Sequence, residues 1–149
     1  MKNSFKLIKA TIFSSIIFFV TSLTQNSFET IVGPNSKGIM DLLVGWMGVL
    51  MLHPPAMVWL ANPTLFAAWA FIKKNQRTSF ILSVISLLIM LSFLLFDEII
   101  VNESGASSKI TAYGLGYWLW VFSAFTMVIG NAFLFYKKKK EEQSDSSNG

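Results

Sequence analysis

Ten of the chain's 12 lysines and arginines sit in three clusters, each at the edge of an apolar run. Lys2, Lys6 and Lys9 precede the first run; Lys73, Lys74 and Arg77 separate two later ones; Lys137 to Lys140 close the last. Only Lys37 and Lys109 fall elsewhere. Clusters of this kind mark the cytoplasmic side of a multi-pass membrane protein. The bias requires an even number of crossings, with both ends inside. The expected location is a plasma or bacterial inner membrane.

Composition agrees. Of the 149 residues, 53% are hydrophobic and 13% charged, and the mean hydropathy is +0.54. A soluble domain of this length carries about 25% charged residues, so too few remain here to coat a water-facing surface. The formal charge of +4 comes from clusters beside apolar segments, not from a basic stripe interleaved with aromatics. That points to anionic headgroups on the inner face of the bilayer, not nucleic acid. With no cysteine in the chain, disulfides, thiolate metal sites and cysteine nucleophiles are excluded.

The first span is expected over residues 6–24. A cleaved signal peptide is the competing reading, weakened because Thr21-Ser22-Leu23-Thr24-Gln25 offers no small-residue cleavage site. Gly33-Pro34-Asn35-Ser36 signals a turn. The apolar stretch Ile39–Ile72 would measure roughly 51 Å as one helix, against about 30 Å of hydrocarbon. His53-Pro54-Pro55 divides it. Residues 54–72 make the second span, and 39–52, about 21 Å long as helix, an interfacial or re-entrant helix on the outer side. The third span covers 79–96, ending at Asp97-Glu98, and the fourth 113–136. Residues 137–149 are expected to be disordered. The fold class is thus an all-α integral membrane bundle of four transmembrane helices, one domain over residues 1–136, with an extra outer helix.

Small residues at steps of three, four and seven form a stripe on each helix: Thr11, Ser15 and Ser22; Ala61, Thr64 and Ala68; Ser79, Ser83 and Ser86; Gly116, Ser123 and Gly130. Such stripes let helices approach closely in lipid. Val121 is taken to face lipid.

Candidate sites are few. No span contains Asp, Glu, Lys, Arg or His between its flanking charges, which speaks against proton relays and ion-coupled carriers. Asn62-Pro63 is the sharpest motif: Pro63 removes a backbone donor and Asn62 places an amide at mid-bilayer depth. It reads as a hinge or polar binding point, or as a group that satisfies its own broken helix. Asn131 is the other amide within a span, expected to join helices. His53, Asp97 and Glu98 lie at the outer boundary, but no metal-ligand spacing connects them. Asn102-Glu103-Ser104 matches the glycosylation triplet, read as a chance occurrence. No cofactor, metal site or nucleophile–base set is expected, hence no enzyme. The expected function is a non-enzymatic interaction, accessory or immunity-type protein that meets a membrane-protein partner or another copy of itself. The alternative is a small transporter or channel subunit with a polar cavity near Asn62.

Overall fold

A computed structural model of the chain describes residues 2–32, 35–100 and 106–147. The Gly33-Pro34 turn and the Asn102-Glu103-Ser104 triplet lie outside the described residues. Five α-helices form: α1 (Lys2–Thr24), α2 (Gly38–Leu50), α3 (Ala61–Phe71), α4 (Gln76–Ser92) and α5 (Leu115–Ser147). Short 3-10 helices precede α3 (Pro54–Leu60) and follow α4 (Phe93–Leu95). Segments Ser4–Thr24, Gln76–Leu95 and Leu115–Lys138 are each long and apolar enough to cross a membrane. Gly38–Leu50 and Pro54–Phe71 pass that test as a pair bent by 120°, so the helices able to cross number three, or four with the bent pair.

The chain is not all-α. Four strands, β1 (Asn26–Thr30), β2 (Ser36–Lys37), β3 (Glu98–Ile100) and β4 (Ser107–Tyr113), make one sheet in the order β2-β1-β4-β3. All the pairings are antiparallel, with Phe28 opposite Tyr113 and Glu98 opposite Lys109. Two segments read as loops therefore pair with each other. The strands are short and polar, and β1 finds its main partner more than 80 residues away, beyond the reach of any local periodicity. The fourth span also starts later than expected, because Tyr113 ends β4 and the helix begins at Leu115.

The sheet is joined tightly to the helices. Gly114 donates its N–H to Ser27 O at 2.8 Å, and Gly38 donates to Gln25 O at 3.1 Å. At Gly116 the backbone of Gln25 and Asn26 comes so close that a Cβ would meet Asn26 O at 2.8 Å. Only glycine fits there.

α5 runs to Ser147, through the tail expected to be disordered. The segment continues a helix already nucleated, so each added residue escapes the nucleation cost. Its sequence also places Lys137 and Lys138 four residues before Glu141 and Glu142, a spacing favourable to helix.

The core follows the small-residue stripes. Ser15, Ala61, Ala68, Ser79, Ser83, Ser86 and Ser123 are fully buried, together with Leu65, Met90, Ala124 and Met127. Gly130 abuts the Thr11 side chain, so α1 and α5 meet almost backbone to backbone. Thr64 is only half-buried and bonds back to Leu60 O at 2.8 Å. Val121 is a correction: at 8% exposure it belongs to the core, and its neighbour Phe122 at 49% faces outward.

Candidate functional site

Hydroxyls and amides on the stripes tie the four long helical segments together. Trp69 donates its indole N–H to Ser15 Oγ at 2.9 Å, and Ser15 donates in turn to Ser123 O at 2.8 Å, linking α3, α1 and α5. Ser86 donates to Ala61 O at 2.9 Å and Tyr117 to Met90 O at 3.0 Å. Buried among apolar side chains, such groups find partners on neighbouring helices.

Asn62 belongs to this network. It is 5% exposed, and its Oδ1 accepts the Trp120 indole N–H at 2.8 Å. Asn62 lines neither the cavity beside Asp97 nor the one beside Lys9. Pro63 is exposed and sits in the first turn of α3, where backbone N–H groups lack intrahelical partners in any helix. The 3-10 segment ends at Leu60, so Pro63 falls near a helix start, a position proline tolerates.

Asn131 is fully buried. Its amide nitrogen donates to Ser79 Oγ at 3.1 Å and to Met127 O at 3.0 Å. Ser79 passes its own hydrogen to Ala68 O at 2.8 Å, and Gln76 donates to Asn131 O at 3.2 Å. Among the described residues, Asn131 Oδ1 is the buried side-chain atom with no partner. The two span amides thus take separate partners.

His53 is half-buried at the corner between α2 and the 3-10 helix, with its backbone N–H donated to Gly48 O at 3.1 Å. Asp97 and Glu98 are exposed where the third span gives way to β3. Asp97 O accepts from Ile110 N at 2.8 Å, and Glu98 accepts from Ser107 Oγ at 3.0 Å. Leu95, Phe96, Asp97, Glu98, Lys109 and Ile110 line an open cavity of about 660 Å3. Among the described residues no group of three His, Asp or Glu could hold a metal ion.

α2 is the extra outer helix expected over residues 39–52. Gly45 and Gly48 let it lie directly on Trp59 and Ala56 of the 3-10 helix, and Trp59 donates to Leu42 O at 2.9 Å. At its start Asp41 accepts a hydrogen bond from Ser36. Burial lifts the Asp41 carboxyl above its usual value, against the lowering effect of Ser27 and Ser36. The far side is open: Met40, Leu43, Val44, Met47, Leu50, Met51 and Leu52 are between 52% and 76% exposed, save Met47 at 46%. Leu52 ends the helix with φ 55°. Its N–H goes to Val49 O while His53 N–H reaches Gly48 O, the Schellman arrangement in which glycine is usual.

No family model, curated protein or solved structure matches the chain. Fold and site define a mostly helical protein whose apolar helices suit a membrane, topped by a small sheet.

Proposed function

We propose that the chain is a multi-pass membrane protein with a non-enzymatic accessory role, an interaction or immunity-type subunit whose outer face meets a partner membrane protein. The basic clusters support four crossings with both ends cytoplasmic, in a plasma or bacterial inner membrane. Pro54–Phe71 serves as the second crossing: seven 3-10 residues and eleven α residues reach about 30 Å, enough for the hydrocarbon layer. α2 then packs beside the outer end of that crossing, turned toward the plane of the bilayer by the 120° bend.

The observation that carries the reading is α2 itself. It is predominantly apolar and has no buried residue, yet it is pinned by Trp59 on one side and by the sheet at its start. A fixed, open apolar helix at the outer boundary is the geometry of a contact surface. The partner proposed is a membrane protein with an apolar face in the outer leaflet.

The test is a photo-crosslinking residue at Leu43 or Met47, activated in native membranes. A specific heterologous protein adduct is expected. Lipid adducts alone, or adducts only to a second copy of the chain, overturn the proposal.

A further inference from the structure

A second surface lies at the opposite end of the bundle. Lys9, Ile12, Phe13 and Ile16 form one stripe along α1 and, with Lys73 from the end of the second span, line a cavity of about 380 Å3. Toward the bundle centre, Trp69 bonds to Ser15 and stacks edge-on against Phe19 at 5.5 Å, joining α1 to α3. Beyond that junction the cavity opens between α1 and Lys73.

The polar end is unusual. Lys9 Nζ and Lys73 Nζ lie 4.6 and 6.0 Å from the centroid of one ring, Phe5, so two like charges from distant parts of the chain converge. Among the described residues, Glu29, Asp41, Asp97 and Glu98 belong to the strand-and-α2 end, and Glu141, Glu142 and Asp145 to the last turns of α5, beyond Lys137. The floor is apolar, and from Lys9 to Ile16 the stripe runs about 10 Å along the helix axis.

The geometry points to a binding site for an anionic phospholipid, its phosphate held between Lys9 and Lys73 and an acyl chain laid along Ile12, Phe13 and Ile16. A zwitterionic lipid brings its own cation to the same place and meets repulsion from both ammonium groups, so the site selects net negative headgroups. Phe5 holds the two ammonium groups over its face through cation–π attraction. The site needs a bilayer but not the partner proposed for α2.

Native mass spectrometry of the full chain, released from detergent with an equimolar mixture of phosphatidylglycerol and phosphatidylcholine, tests this. The chain is expected to retain phosphatidylglycerol, and K9Q/K73Q to lose at least fivefold of it. R77Q/K137Q, with the same loss of charge, should retain it. I16W, which fills the floor while keeping both lysines, should lose the lipid as K9Q/K73Q does. Equal retention of phosphatidylcholine, equal loss in R77Q/K137Q, or full retention by I16W overturns the assignment. So does displacement of the lipid by millimolar glycerol phosphate, which would show the headgroup alone to be the ligand. Thermal melts of each variant separate lost binding from lost fold.

Discussion

The Trp120 indole N–H is donated to Asn62 Oδ1 at 2.8 Å, across the interface between α3 and α5. This bond occupies the oxygen through which Asn62 would otherwise meet a solute. Asn62 and Trp120 therefore act as a structural pair, and a double-mutant cycle with Asn62→Leu and Trp120→Phe should give a coupling of about 0.6 to 1.7 kcal/mol in detergent unfolding. A proteoliposome flux assay should show Asn62→Leu indistinguishable from the natural sequence. A flux that the natural chain supports and Asn62→Leu abolishes would restore a polar pathway at this residue.

Leu52 occupies a position where glycine is the easy choice, with φ 55° and its side chain 74% exposed. A left-handed conformation at a residue with a Cβ costs roughly 1–2 kcal/mol. Leu52→Gly should raise stability by up to about 1 kcal/mol, read as a higher melting temperature. If the leucine is retained for contact with a partner, the same variant should lose crosslinking from Met47. Stabilisation with undiminished crosslinking would assign Leu52 no part in that contact.

Asp41 carries a pH dependence. Its carboxyl is pushed above 3.8 chiefly by burial, so the folded chain holds the proton more tightly than the unfolded one. Its contribution is fully present below pH 3.8 and is lost as pH rises through the folded value. Asp41→Asn has no charge to desolvate and can still bond to Ser36. The variant should melt higher than the natural chain at pH 7, with the difference closing near pH 3.5. A gap that stays constant across that range would show burial of Asp41 to be energetically silent.

Asn131 and Ser79 form a relay to Ala68 O that crosses three helices. Ser79→Ala removes an acceptor from a buried amide and a donor from a buried carbonyl, at a cost of about 1–3 kcal/mol. Asn131→Leu should cost no more than Ser79→Ala, because it also removes the unpartnered Oδ1. Chemical denaturation in mild detergent of both single variants and the double one measures this. A greater loss for Asn131→Leu would mean that Oδ1 is satisfied in the folded protein.

The helices were legible because apolar runs and basic edges are local signals. The stripes were legible for the same reason: Ser79, Ser83 and Ser86 repeat at three and four, and all three are buried. The sheet was not. Asn26–Thr30 reads as a polar loop, and nothing near it announces that Phe28 will face Tyr113. The alternation in Ser107–Tyr113, with Ser108 and Ile110 more covered than their neighbours, was the one available hint. Asn62 stood out by its residue type, but its partner did not, since Trp120 lies 58 residues away on another helix. Val121 misled because it flanks the stripe by residue type alone, whereas the helix turns it inward. Lys9 and Lys73 were visible as inner charges, but only the fold brings them to one ring.

An even number of crossings underlies both surfaces, and the cysteine-free chain allows a direct measurement. Single cysteines at Thr111, Lys74 and Ser144 can be treated in intact cells with a membrane-impermeant maleimide, before and after permeabilisation. Thr111→Cys in β4 should label in intact cells, and Lys74→Cys and Ser144→Cys only once the membrane is opened. Labelling of Ser144→Cys in intact cells would place the carboxyl end outside and contradict the topology.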